Sequence, residues 1–597
     1  MKKKSILFLL LVLISIQYSF SSNAVLVKVN SINNEARIEI TYVKSMFKTN
    51  EVLKFTFPKT YFGMYENLKV PIVKEFQVLD EKGKQIDSKK SDNRLYEINS
   101  NKNIHKIRYT ISDSWLSDNN ENNNLSSDSY FSDSLQVYNF FNILGKLEGS
   151  GSSNYTIEIN HNNLTILKSI ESKIEKNENT ISYSMNSYQD ILDNPIVLVK
   201  KNKKFEKEIN IDSTLFIINL VDVDNGKMKL SDDEIETLSS YLKECSRYLD
   251  YFEIKPKKYF YTIFVSNSVS FHSALEHNSN SIYHFRNSNK NNFVEQLIQF
   301  ITHETLHLIT PLKIRSNIIN DLNILEPESS FHLWLYEGVT EYLSLKVIAK
   351  VKLKEEQDST YLFREIFFKN HISKKTNNPY SIIKTSKNIY NKRYSEYYSD
   401  VYLRGATIAF LIDCKLSKNG SSLSELLSKI GANNNFNDDS LLNEIKIIDA
   451  NLSEIIEEYL LSNNKIFLET NFIELGVRKF VKSITTKRKK LEIKSFRFRK
   501  DFLLINRSPI NKKLGIRRIK ILAVNGVKVE ESLSWFYENL QNGKDKYILT
   551  IKCKKNKTRD VVVYPTVKEK KVSIDVFSVS KINLIQKEKY NKLFNDL

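Results

Sequence analysis

Residues 299–311 read QFITHETLHLITP, and inside them His303 and His307 stand four apart with Glu304 after the first. On a helix, residues four apart face the same way with Cβ atoms about 5–6 Å apart. Both imidazoles can then reach one zinc ion at about 2.0–2.1 Å. Glu304, one position round, falls beside such an ion, where a carboxylate can take a proton from water. The same spacing would also suit two buried histidines bonded to their neighbours. A catalytic zinc needs a third protein ligand and an open position. Glu337 and Glu341, in FHLWLYEGVTEYLSLKV from Phe331, lie four apart among apolar residues. A carboxylate there is costly unless it is paired or holds a metal. Glu337 is therefore the expected third ligand of one Zn²⁺ per chain. Glu341, a turn later, could accept a hydrogen bond from a ligand histidine and fix its tautomer. An amphipathic helix with two solvated glutamates is the alternative.

The elements that must position these groups follow from periodicity. Phe293, Leu297, Ile301 and Leu308 recur at helical spacing, and Pro311 marks the end of that helix. Segments such as ARIEITYV from Ala36 and HKIRYTIS from His105 alternate with period two, as strands do. SDDEIETLSSYLKECSRYL from Ser231 opens with an acidic cap and continues with helical spacing. Strand patterns return from about Phe496 to Tyr564, after a basic run, TTKRKKLEIK from Thr485, read as a solvated linker. The expected organisation is multidomain. It comprises a leader (1–22), an all-β N-terminal domain (23–172), an α+β catalytic domain with a helical extension (173–484), a C-terminal β domain (490–575) and a tail (576–597).

Composition narrows the class. With 597 residues, 41% hydrophobic and 27% charged, the chain suits a folded protein of several domains. Lys2–Lys4, the apolar run Ile6–Ile16 and the serines beyond it have the order of a secretory signal peptide. This implies export to a periplasm or beyond. The run is short for a membrane span, and no second one of about 18 residues follows. Three separated cysteines, Cys245, Cys414 and Cys553, make no disulfide framework. The net charge of +19 reads as diluted among acids and polar residues, so no nucleic-acid partner is expected.

Three stretches together resemble a known family. HETLH, the glutamate in WLYEGVTEY and the downstream VYLRGA from Val401 are similar to the glutamate-zincin aminopeptidases. Tyr402 falls on that group's tyrosine, which implies a hydrogen bond to the tetrahedral oxyanion; Arg404 stands where the group has lysine. SALEHNSNS from Ser273 resembles the G-G-L-E-H-x-x-S stretch of the glycyl aminopeptidase family, with Ser273 and Ala274 replacing its glycines. There Glu276 matches the glutamate that binds the substrate's free α-amine. LKIRS from Leu312 and ILDNPIVL from Ile191 are also similar to that family. IKILAVNGVKV from Ile519 and YILTIKCKKNKTRDVVVYP from Tyr547 look like parts of a PDZ domain, without its usual Gly-Asp turn.

The resemblance implies a thermolysin-like catalytic domain followed by a PDZ-like domain. It also implies an exported zinc aminopeptidase that removes small N-terminal residues, glycine or alanine, through a zinc-activated water. Peptides are the expected substrates, and a PDZ-like groove would take an extended peptide end. Two rivals stay open: a zinc endopeptidase without amine selectivity, and a PDZ-containing peptide-binding protein with a vestigial peptidase domain.

Overall fold

The computed structural model describes residues 25–594 apart from short segments, the longest of them 43–51, 61–69, 116–124 and 530–539. The leader reading falls outside the described residues. The chain forms two compact units whose boundaries fall at Val477/Arg478 and Ser578/Val579.

The first unit begins with sheets. Val25–Ile32 alternates buried and exposed positions, placing Val25, Val27 and Val29 in the core. It pairs antiparallel with Glu35–Tyr42 and parallel with Tyr155–Asn160, within an eight-stranded sheet. Two four-stranded sheets pack beside it. This part is sheet-rich, with short helices at Phe140–Ile143 and Tyr188–Leu192.

A five-stranded sheet follows: β1 Lys204–Ile211, β2 Thr214–Asp222, β3 Lys258–Ser266, β4 Ser273–Glu276 and β5 Asn280–Arg286. The spatial order is β1-β2-β3-β5-β4, so β4 is an edge strand. β2, β3 and β5 run parallel, while β4 runs antiparallel to β5. Helix α1, Asp232–Tyr251, makes the crossover from β2 to β3. Its capping box, read from the acidic start, is formed: Ser231 N donates to Glu234 Oε2 at 2.6 Å and Glu234 N to Ser231 Oγ at 3.4 Å.

The rest of the unit is helical. Helix α2 spans Lys290–Leu306, α3 Thr340–Lys354, α4 Tyr361–Thr376 and α5 Tyr398–Lys418. A wide turn with i→i+5 bonding, Trp334–Val339, leads into α3. Such turns concentrate at functional sites. Two buried ionic clusters lock the helices. Lys346 and Asp413, both fully buried, meet at 2.7 Å and join α3 to α5, with Tyr342 Oη donating to the same carboxylate at 2.6 Å. Glu244 of α1 accepts from Lys354 of α3 at 2.6 Å, and Lys350 Nζ forms an ion pair with its other oxygen at 2.8 Å. No described helix is long and apolar enough to cross a membrane.

The C-terminal segment expected as a tail contains a helix, α6, Leu584–Phe594. Tyr590 stacks on Phe363 of α4, Phe594 meets the same ring edge-on, and Tyr590 Oη donates to the Ser359 carbonyl at 2.9 Å.

The second unit, 478–578, holds a sheet built from β6 Ser495–Arg499, β7 Phe502–Asn506, β8 Arg518–Val524, β9 Tyr547–Lys552 and β10 Thr558–Val563, in that spatial order. Leu503, Ile505, Ile519, Ile521, Leu549 and Ile551 share its core. The first six residues of the basic run expected as a linker, 485–490, are instead strand: Val477–Lys490 pairs with Thr566–Val579 in a two-stranded ribbon. Pairing with a distant segment made it a strand, which its own composition did not announce.

Candidate active site

The end of helix α2 and the residue that follows it bring His303, Glu304 and His307 to one buried surface, 8%, 6% and 2% exposed. One ligand atom from each lies within 4.8 Å of the others. Both histidines have their Nδ1 occupied. His303 Nδ1 donates to Glu341 Oε2 at 2.8 Å, and Lys369 Nζ lies 2.5 Å from the other oxygen of that carboxylate. His307 Nδ1 donates to the Thr310 carbonyl at 3.0 Å. Thr310 can present that carbonyl because it leaves helical geometry, at φ −141 and ψ 124. In its neutral form each ring would then carry its lone pair on Nε2, the tautomer a metal requires.

Glu337 closes the set. Its Oε2 lies 3.5 Å from His303 Nε2 and 3.5 Å from His307 Nε2, and no hydrogen-bond partner reaches it. Donors bound tetrahedrally at 2.0–2.1 Å would stand about 3.4 Å apart. The chemistry of the donor set and the orphaned Glu337 oxygen therefore fit zinc. The expected ligands His303, His307 and Glu337, and the supporting Glu341, come together.

Close backbone packing sets this geometry. A Cβ on Gly338 would meet Gly405 Cα at 2.5 Å, so the turn that carries Glu337 crosses α5 at two glycines. α5 in turn carries Tyr402, whose ring centroid is 5.9 Å from that of His303. Tyr402 Oη lies 2.9 Å from Tyr398 Oη. Burial, then the Glu337 charge, lift the Tyr402 hydroxyl well above the ordinary phenol range. Tyr402 stays protonated, the form that donates a hydrogen bond.

Glu276 ends edge strand β4, buried, with Oε1 unpartnered. Burial and then the charges of Glu304 and Glu337 push its carboxyl well up. Burial also lifts Glu304 to about 8, with Glu337 and Glu341 adding to it against the pull of His303. His307 is pushed down to about 4, chiefly by burial. Burial opposes charge on His303, yet Glu337 and Glu341 hold its ring well above the ordinary imidazole range. Glu276, Glu304 and Glu337 thus form a buried group of mutually repelling carboxylates, with the His303 ring as a cation set against them.

Several positioning residues were not foreseen. Asp193, the C-cap of helix Tyr188–Leu192, holds the turn after Glu276: its carboxylate accepts from Asn278 Nδ2 at 2.5 Å and lies 3.2 Å from His277 Nδ1. Ser126 Oγ donates to the Ala274 carbonyl at 3.2 Å. Leu275, between them, belongs to the core of the N-terminal sheets. Asp193 lies within the ILDNPIVL stretch, whose sequence carries no sign of that role. Lys369 and Thr310 carried no signal in the sequence.

Residues 27–200 match the Peptidase M61 N-terminal domain, and residues 296–408 match M61 glycyl aminopeptidase. The chain carries the two M61 peptidase domains. The second match spans every proposed active-site residue except Glu276. No curated protein matches the chain in sequence. Among solved structures, an aminopeptidase N family protein of Idiomarina loihiensis superposes with a TM-score of 0.65 at 14% identity, covering 96% of this chain and 100% of that one. The M61 chain therefore shares its fold along nearly its whole length. An M1 zinc metallopeptidase of Deinococcus radiodurans gives 0.46 at 9% identity, over 74% of this chain and 94% of that one.

Proposed function

We propose that this chain is a zinc aminopeptidase with a thermolysin-like catalytic domain, removing single small residues, glycine or alanine, from peptide N-termini. The observation that carries the reading is the cluster of unpartnered carboxylates: Glu276, Glu304 and Glu337 each have a buried carboxylate oxygen with no hydrogen-bond partner. Such a group is costly unless positive charge arrives. One zinc ion and one substrate ammonium supply it. His303, His307 and Glu337 would hold the metal, which when bound supplies a Lewis acid and lowers the pKa of water.

The chain's own residues do the rest. Glu276 receives the α-ammonium in a charge-assisted pair and so fixes the chain end one residue from the cleavage point. Glu304, high in pKa and beside the metal ligands, takes a proton from the attacking water and returns it to the leaving amine. Tyr402 donates to the carbonyl oxygen as charge develops there, a contribution of about 3–4 kcal/mol for a well-placed donor. Glu341 and the Thr310 carbonyl hold the two imidazoles in register.

The preference for glycine or alanine rests on the family description and on SALEH. We also propose that residues 1–22 export the chain and that unit 478–578 is PDZ-like; the motif IKILAVNGVKV, lying in β8 and the turn after it, supports the second reading.

The test is Glu276→Gln, assayed on alanyl and glycyl reporter substrates and on an internally quenched peptide with a blocked N-terminus. Free-amine hydrolysis should fall by at least 100-fold. An enzyme that cleaves the blocked peptide and ignores the substitution is the endopeptidase rival.

A further inference from the structure

The charge of this protein is not diluted along the chain. Residues 478–578 hold 28 Lys and Arg against 9 Asp and Glu, a net of +19, equal to the net charge of the whole protein. All remaining residues balance, 61 basic against 61 acidic. A general compositional bias would have spread over both units. It did not, so the excess belongs to one module.

Within that module the strand register places charge on one face. Arg497 pairs with Leu504, which pairs with Lys520, so the three form a row across β6, β7 and β8. Arg499 and Phe502, and Asn506 and Arg518, make parallel rows on the same side. Lys552 continues the face on β9. Arg497, Arg499, Arg518, Lys520 and Lys552 are exposed and form no ion pair among the described residues. Asp560 is the acid on the described part of this face, and it accepts from Thr550 Oγ1 at 2.6 Å.

Apolar side chains stand among these cations. Ile548 and Val562 pair across β9 and β10, 37% and 47% exposed, and Tyr564 just beyond is 62% exposed. Exposed aliphatics amid Lys and Arg suit a lipid headgroup interface, which takes apolar side chains at its acyl boundary and cations at its phosphates. Nucleic acid offers phosphates and base faces, and its single-stranded binders present open aromatic platforms. Here the aromatics Phe502 and Tyr564 already have lysines over their rings, Lys520 at 5.1 Å and Lys513 at 5.9 Å.

We propose that the outer face of the β6–β10 sheet docks on an anionic phospholipid surface. The face carries the enzyme to a bilayer by charge and holds it there through Ile548, Val562 and Tyr564. No part of this depends on the peptidase reading.

The test uses the full chain, co-sedimented with vesicles of phosphatidylcholine alone or with 30% phosphatidylglycerol, and titrated in parallel with a fluorescent oligonucleotide. Partitioning should rise at least tenfold with the anionic lipid and fall as salt is raised. Each basic residue removed from such a surface should weaken binding about fivefold. The pair Arg497→Glu/Lys520→Glu should therefore lose at least 25-fold while peptide hydrolysis is unchanged. Lys28→Glu/Lys74→Glu, an equal charge change in the first unit, should bind as the parent does, which separates a built face from bulk charge. Ile548→Asp should detach at a lower salt concentration than the parent. Equal loss in the two charge pairs, no preference for anionic vesicles, or tighter binding to the oligonucleotide than to vesicles of matched phosphate concentration would each overturn the proposal.

Discussion

Gly405→Ala tests whether backbone contact sets the active-site geometry. The added Cβ would stand 2.8 Å from Gly338 Cα and 3.4 Å from the Trp334 carbonyl oxygen. Carbon atoms rest at about 3.5–4.0 Å, so the Trp334–Val339 turn and α5 must part by about 1 Å. Neither neighbour is a flexible side chain that can swing away. Glu337 leads the turn into Gly338, and Tyr402 lies on α5 one turn before Gly405. The parting therefore displaces a proposed metal ligand from the proposed oxyanion donor. A displacement of that size costs about 100-fold in rate, and overpacking costs about 1–3 kcal/mol of stability. The assay is kcat/KM on an alanyl reporter substrate, with zinc content and a urea melt measured on the same preparation. Activity should drop by about two orders of magnitude in protein that is folded at the assay temperature. A variant within threefold of the parent in kcat/KM, with unchanged zinc content, would refute the claim that the glycine crossing sets the distance.

Other outcomes follow from the same contacts. Glu341→Gln removes the charged acceptor from His303 and leaves Lys369 without its partner; zinc affinity, measured against a competing chelator, should fall about 10–100-fold. Asp193→Ala frees the turn after Glu276, so KM for free-amine substrates should rise several-fold while cleavage of any blocked peptide stays flat. Lys346→Met strands Asp413 in the core and should cost about 3–5 kcal/mol in denaturant unfolding. Glu244 has its pKa lowered to about 2; burial opposes this, and the Lys350 and Lys354 charges overcome it. A carboxylate depressed in the folded state stabilises above its unfolded value and loses that contribution as pH falls through the folded one. Glu244→Gln should therefore flatten the acid limb of stability between about pH 4.5 and 2, by about 1–2 kcal/mol, since solvent screens the exposed Lys354.

What could be read in advance was local. HETLH pointed to two proposed ligands and a proposed base because one helical turn fixes their relation, and the paired glutamates at 337 and 341 followed the same logic. Glu276 and Tyr402 needed a family likeness, since an edge-strand glutamate and a helical tyrosine carry no spacing of their own. Partners that act across long stretches of chain were silent: Asp193 reaches His277 over 84 positions and Ser126 reaches Ala274 over 148. The basic excess was misjudged for a related reason. Net charge is a sum over the chain, and only the boundary at Arg478 shows which residues it belongs to.

These long-range partners also give the N-terminal sheets a role in the site. β4 is an edge strand, with β5 its one paired strand among the described residues. On its own it would be free to fray, and Glu276 with it. The sheets prevent this from three sides: Leu275 buried in their core, Ser126 on the Ala274 carbonyl, and Asp193 on the turn beyond. Along β4 side chains alternate, so anchoring Leu275 on one face directs Ala274 and Glu276 to the other. The register of a four-residue strand, and with it the side on which Glu276 emerges, is thus set by residues of another sheet. A one-residue slip would turn the carboxylate away from the histidines altogether. Leu275→Ala should accordingly cost about 2–5 kcal/mol and raise KM, with zinc affinity left intact, because the proposed metal ligands all lie on other elements. Loss of zinc in step with KM would show instead that the sheets support the whole site and not the edge strand in particular.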